Sequence, residues 1–179
     1  LPPTMVTDLV WKGTDSFSNY ERSEAAAYAD GKSLLIDLNT DASVSVNTAM
    51  QPSVLYAMPT KGQRVTLSGT GNLTGDMDLW KSQQGTLVAN VPLDYTGTTY
   101  ISEGTLEVNG EIKGDVNLRA RGTLSGKAIV NAISFEGALN YEGCRLMPTE
   151  QMTFKQGLKL DRKVYMEMDI TTAEGNQRA

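Results

Sequence analysis

Beyond position 64 the chain alternates apolar and polar residues with a period of two, in short runs that each stop at Gly, Asn or Asp. The runs are 65–69, 72–75, 77–80, 86–88, 99–101 and 105–108. On an extended backbone successive side chains point to opposite faces, so each run reads as a half-buried strand. No apolar stripe recurs at the helical period over a useful length, which excludes long amphipathic helices. Residues 1–60 are more irregular. The run Glu24-Ala25-Ala26-Ala27-Tyr28-Ala29 predicts one or two helical turns, stopped by Asp30-Gly31. Residues 33–38 form an apolar run, and residues 43–46 alternate as a strand does.

The tripeptide Gly-Thr-Leu recurs at Gly85-Thr86-Leu87, Gly104-Thr105-Leu106 and Gly122-Thr123-Leu124, at intervals of 19 and 18 residues. Related pieces follow at looser spacing, Gly137-Ala138-Leu139 and Gly157-Leu158-Lys159-Leu160. A strand-and-turn unit recurring at about 20 residues is the mark of a solenoid. One coil cannot close a core alone. Stacked on the next, each strand gains a backbone ladder at about 4.8 Å, and inward Leu, Val and Ile side chains pile into columns. Gly and Asn then sit at corners, where φ is often positive. The expected fold class is all-β: a right-handed parallel β-helix with an irregular N-terminal capping region. Residues 1–60 are assigned to the cap and first coils. Residues 61–179 are assigned to solenoid coils that are expected to continue past the last residue. An antiparallel sandwich is the competing architecture, since Gly-Thr-Leu is a simple tripeptide. One observable separates the two: only stacked coils put Leu106 and Leu124 in one inward column.

Hydrophobic residues make up 40% of the chain, an ordinary share for a folded domain, so disorder is not expected. The formal net charge of −5 and scattered cations give no basic footprint for nucleic acid. No apolar run reaches membrane-spanning length. Cys144 is the one cysteine, so no intramolecular disulfide can form. With no histidine in the chain, Ser-His-Asp, Cys-His and most zinc sites are excluded.

Two stretches resemble a known repeat: Leu79-Trp80-Lys81-Ser82-Gln83-Gln84-Gly85-Thr86-Leu87, and Tyr95-Thr96-Gly97-Thr98-Thr99-Tyr100-Ile101-Ser102-Glu103-Gly104-Thr105-Leu106-Glu107-Val108. They are similar to the autotransporter-associated β-strand repeat, which reads L-x-K-x-G-x-G-T-L followed by Y-T-G-x-T-x-I-x-x-G-T-L-x-V. Gln83 stands where that family usually has a glycine, and Thr149 stands where a glycine usually follows Leu146-Met147-Pro148. Val10-Trp11-Lys12-Gly13 and residues 67–75 resemble flanking parts of the same pattern. The resemblance implies a parallel β-helix from a secreted or surface-displayed bacterial protein, associated with the outer membrane, in which the repeat is a stalk or an accessory. The motif carries no catalytic residues, so no enzymatic activity and no cofactor are expected.

Candidate chemistry is thin. Asp76 and Asp78, two residues apart, would share a strand face and could bind calcium or act as an acid/base pair. A solvated turn after Gly75 is the simpler reading. Arg119 and Arg121 would likewise share a face, as a lyase could require. Asp37, Asn39 and Asp41 form a loose oxygen-rich group without the glycine and final Glu of a calcium loop. Among the aromatics Trp11, Trp80, Tyr95, Tyr100 and Tyr141, a glycan platform is assigned to Trp80, Tyr100 and Tyr95. It requires Trp80 to lie outward beside Tyr100 on the neighbouring coil. Otherwise Trp80 packs under the N-terminal segment. Cys144 reads as a small buried filler, and Met147, Met152, Met166 and Met168 as core or end-cover residues. The expected partners are glycans or host or cell-surface molecules. The expected role is a structural scaffold, stalk or adhesive module. A carbohydrate-binding accessory module is the alternative, and a polysaccharide lyase or hydrolase the more distant one.

Overall fold

A computed structural model of the chain describes residues 5–13, 16–36, 41–137, 143–160 and 163–166. These are all strands and turns, with no helix among them. The chain opens with β1 (Leu9–Trp11), β2 (Phe17–Asn19) and β3 (Ala25–Ala26). It then winds coil upon coil, each coil giving one strand to each of two long sheets and a short strand or a single bridge to a third wall. The first coil holds β4 (Ser33–Ile36), β5 (Ala42–Ser45) and β6 (Ala49–Met50). The second holds β7 (Val54–Ala57), β8 (Arg64–Ser68) and β9 (Asn72–Leu73). The third holds β10 (Asp78–Lys81) and β11 (Thr86–Ala89), and closes through single bridges at Leu93. The fourth holds β12 (Thr99–Ile101), β13 (Gly104–Val108) and β14 (Glu111–Ile112). The fifth holds β15 (Val116–Arg119), β16 (Gly122–Gly126) and β17 (Ile129–Val130). The sixth holds β18 (Ile133–Glu136), β19 (Cys144–Pro148) and β20 (Thr153–Phe154), and β21 (Val164–Met166) adds one more strand to the second sheet.

Every pairing between coils is parallel. The result is a β-solenoid of about seven turns. The Gly-Thr-Leu repeat is its register: Thr86, Thr105 and Thr123 stand side by side on successive strands, and so do Leu87, Leu106 and Leu124. These leucines are fully buried, in a column that starts at Val65 and continues to Leu146. The stacked-coil requirement is met and the sandwich is excluded. On the first sheet one inward column runs Leu34, Leu55, Leu79, Thr99, Val116 and Ile133. A second runs Ile36, Ala57, Lys81, Ile101, Leu118 and Phe135. Leu73, Leu93, Ile112 and Val130 line the third wall, all fully buried.

The Ala25–Ala26 segment is a strand, not the helical turns that Ala propensity predicts. Its pairing with β2 (Phe17 opposite Ala26, Ser18 opposite Ala25) supplies hydrogen bonds that a run too short to nucleate a helix lacks. β1 pairs parallel with β4 and antiparallel with β2, so the coil direction ends at a hairpin. Trp11 is fully buried and stacks on Phe17 at 5.4 Å, and Phe17 lies 5.6 Å from Tyr28. This aromatic plug covers the first coil, and the short β3 limits the exposed edge.

Of the looser repeat pieces, Ala138 and Leu139 lie outside the described residues, and residues 157–160 are in no strand. Gly122 and Leu124 are followed on β19 by Cys144 and Leu146, one coil later. Gly137 lies in the longer connection from β18 to β19, and Gly157 lies in an exposed turn. Met147 points outward at 37% exposure, because Cys144 and Leu146 take the inward places on β19.

Candidate functional site

The outward face of the first sheet carries one column: Val10, Leu35, Tyr56, Trp80, Tyr100, Asn117 and Ser134. Parallel in-register pairing places equal positions about 4.8 Å apart, which favours face-to-face rings. Trp80 and Tyr100 stack with centroids 4.0 Å apart and an interplanar angle of 15°. The pair expected from the sequence therefore exists, but its surface is occupied. Trp80 is only 8% exposed and clusters with Leu35 and Tyr56, against Met5 from the N-terminal segment and Met58. The Arg119 guanidinium lies 5.1 Å from the Trp80 ring centroid and 5.4 Å from that of Tyr100. Arg119 is held there by its Nε, which donates to Asn117 Oδ1 at 2.9 Å, and by Glu136 at 3.3 Å. Burial raises the Tyr56 phenol above its ordinary value, and the Asp78 carboxylate adds to that.

Tyr95 is not part of this face. It is fully buried in the core, with its hydroxyl 2.5 Å from Thr99 Oγ1. The pair is reciprocal: Thr99 occupies an inward position, and Tyr95 supplies the partner its hydroxyl needs. Burial pushes the Tyr95 phenol well above its ordinary range.

The carboxylates do not assemble. Asp76 is exposed in the turn, while Asp78 Oδ1 accepts the Thr98 backbone N–H at 2.7 Å and so pins the next corner. Among the described residues no three His, Cys, Asp or Glu side chains are grouped to hold a metal. Asp37, Asn39, Tyr141 and Met168 lie outside the described residues. Arg119 and Arg121 do not share a face: β15 ends at Arg119, and Arg121 sits in the following turn with φ 71°. Cys144 is 1% exposed, with its Sγ 3.1 Å from the Leu118 carbonyl oxygen.

One residue carries chemistry that sequence reading left among the scattered cations. Lys81 occupies an inward position between Ala57 and Ile101 and is fully buried. Its chain bends to the corner, where Nζ donates to the carbonyl oxygens of Ser82 (2.9 Å), Gln83 (2.8 Å) and Glu103 (2.9 Å). An ammonium has three N–H donors, so the three carbonyls, from two successive coils, use all of them. Removal from water pulls its pKa down to about 7, with the Glu103 carboxylate opposing. The signal was available: in Leu79-Trp80-Lys81 the strand alternation that buries Leu79 also turns Lys81 inward.

Two corner residues explain the motif around this lysine. Gln83, two residues after Lys81, takes φ 62°, a conformation glycine adopts more readily. Gly104 has φ 69°, and a Cβ there would collide with the Gln83 carbonyl oxygen and Lys81 Nζ.

Stacked parallel coils, a lysine-locked corner and an aromatic column sealed by arginine define a capped β-solenoid. No protein-family model, curated protein or solved structure matches the chain.

Proposed function

We propose that the chain is a non-catalytic scaffold, a rigid spacer or adhesive stalk of a secreted or surface-displayed bacterial protein. The observation that carries this reading is the use of polar side chains to tie coil to coil. Lys81 joins two corners, Asn72 Nδ2 donates to Asp94 at 2.7 Å, Lys113 meets Asp94 at 2.7 Å, and Asn109 Nδ2 donates to Asn90 at 2.8 Å. Other straps skip a coil. Arg64 reaches Glu107 at 2.8 Å across the third coil, and Lys155 reaches Glu111 across the fifth. Such ties stiffen a rod along its axis. The likeness of residues 95–108 to the autotransporter-associated repeat supports the surface setting, where that repeat builds stalks.

The reading is tested by inserting the domain between a bacterial surface anchor and a reporter epitope. A second version carries residues 92–110 duplicated, which adds one coil and about 4.8 Å of height. Reporter distance from the membrane, measured by energy transfer to a membrane dye, should rise with the domain and rise again with the extra coil. A distance indifferent to coil number, or turnover of any of a panel of polysaccharides by the isolated domain, would sink it.

A further inference from the structure

The residues ahead of β1 seat on the outward face of the first sheet. Asp8 is their anchor. Its backbone N–H donates to Ser33 Oγ at 2.8 Å, and its Oδ2 accepts from the Ser33 backbone N–H at 2.9 Å and the Ser33 hydroxyl at 3.0 Å. Lys32 lies 3.6 Å from its other carboxylate oxygen. In front of that anchor the hold is of a different kind. Val6 is exposed, and the buried Thr7 hydroxyl finds no hydrogen-bond partner among the described residues. An unsatisfied buried hydroxyl costs free energy and does not fasten the chain. What seats residues 5–7 is Met5, packed against the cluster of Leu35, Tyr56 and Trp80. Met58, just past β7, packs on the same cluster. Both methionines also line a depression of about 540 Å³ that opens to solvent beside Ser82, Gln83 and Ser102.

We infer that Met5 and Met58 form a paired thioether modification site, whose oxidation to the sulfoxide by peroxides unseats residues 5–7 and bares the Trp80–Tyr100 stack. These two sulfurs combine reach with consequence. Met50 and Met77 are buried in the main core, away from an oxidant. Met147 and Met166 are exposed, but neither packs against the Trp80 cluster, and Met152 rests on the main core instead. In the reaction a sulfur lone pair attacks one peroxide oxygen, and the S–O bond forms as the O–O bond breaks. The departing hydroxide takes the proton left on the transferred oxygen and becomes water. Sulfur loses two electrons and the peroxide gains them. A thioether is apolar and packs well on aromatic rings, whereas its sulfoxide is a polar group that favours water. Here that change falls on the seat of a segment whose buried hydroxyl already lacks a partner. Asp8 stays tied to Ser33, so the movement is confined to the residues before it and the coils remain folded. Arg119 stays over both rings, so the uncovering is partial and is read at Trp80. The site does not depend on the scaffold reading.

The test treats the full chain with hydrogen peroxide in steps. Peptide mass mapping follows each methionine, and emission wavelength and acrylamide quenching follow the tryptophans. Sulfoxide at Met5 and Met58 should bring a red shift and stronger quenching while the cooperative thermal transition remains. Trp11 is fully buried in the plug, so the change reports Trp80. Methionine sulfoxide reductases for both epimers should reverse it, which separates thioether oxidation from damage to the indole. Met5→Leu with Met58→Leu keeps an apolar cover without an oxidisable sulfur. That double variant should hold its emission under the same peroxide although Met147 and Met166 are oxidised as before. Met5→Gln, polar and of similar length, should give the shifted emission with no oxidant. The proposal is overturned if Met5 and Met58 stay reduced when Met147 and Met166 are fully oxidised, or if both are oxidised with emission unchanged. It is equally overturned if the reductases fail to restore the emission, or if the leucine double variant shifts as the wild type does.

Discussion

Replacing Lys81 by methionine removes the ammonium from the corner while keeping an unbranched side chain of similar length. Three carbonyl oxygens, of Ser82, Gln83 and Glu103, then lose their donor. A hydrogen bond to a charged group contributes roughly 1.5–3 kcal/mol, so the gross loss is large. Burying an ammonium costs several kcal/mol, and the methionine is free of that cost. The net destabilisation at pH 6 is expected to be about 1–2 kcal/mol. The pH dependence is the sharper test. The folded pKa is lowered to about 7 from 10.5. Below pH 7 both folded and unfolded chains hold the proton, and the folded state bears the full cost of the buried charge. Between pH 7 and 10.5 the unfolded chain still holds it and the folded chain has released it. Wild-type stability therefore rises with pH in that window, by up to about 1.4 kcal/mol per unit. Urea unfolding of both proteins at pH 6, 7, 8 and 9 isolates this one group, because all other titrations are common to the two. The gap between wild type and Lys81→Met should widen by about 2 kcal/mol from pH 7 to pH 9. A gap constant over that range would mean that the carbonyl cage keeps the lysine charged to high pH, and the assigned direction would be wrong.

Leu106→Ala, in the middle of a fully buried column, should cost about 3 kcal/mol by denaturant unfolding, and a loss below about 1 kcal/mol would contradict the column. Gln83→Gly should stabilise by about 0.5–1 kcal/mol, because the φ of 62° favours glycine; a lower melting temperature would show that the glutamine side chain has a role of its own. Arg119→Ala should uncover the Trp80–Tyr100 stack and shift tryptophan emission to the red, at a cost of about 1 kcal/mol; unchanged emission would place the ring cover elsewhere, since Trp11 is buried apart from it.

The coil architecture was readable because Gly-Thr-Leu is itself the register: equal residues pair across coils, so a spacing in sequence becomes a stack in space. The alternating runs 65–69, 77–80, 99–101 and 105–108 fall on the strands Arg64–Ser68, Asp78–Lys81, Thr99–Ile101 and Gly104–Val108 for the same reason. Where the coil length changes, the signal fails. The sixth coil carries a longer connection, and the superficially similar Gly137 falls in it while Cys144, with no resemblance to glycine, takes the ladder place. Ala25–Ala26 was misread because local propensity ignores a partner strand. Trp80 beside Tyr100 and Trp80 under the N-terminal segment stood as alternatives in the sequence, and both occur, with Met5 packed against the cluster that holds Trp80; the Arg119 guanidinium over both rings comes from the next coil and no local pattern announces it. Tyr95 lies near Tyr100 in sequence and yet faces the core, where Thr99 needs it.

The ion pairs that vault over an intervening coil restrict how such a rod can change length in evolution. Were contacts confined to adjacent turns, copies could be gained or lost anywhere at similar cost. Here Arg64 counts two levels to Glu107, and Glu111 counts two levels to Lys155, so an added or deleted level inside either interval orphans a charge. The intervals meet within one level, between Glu107 and Glu111, and a unit spliced in there leaves both counts unchanged. That junction is where natural length variants of this molecule should have grown.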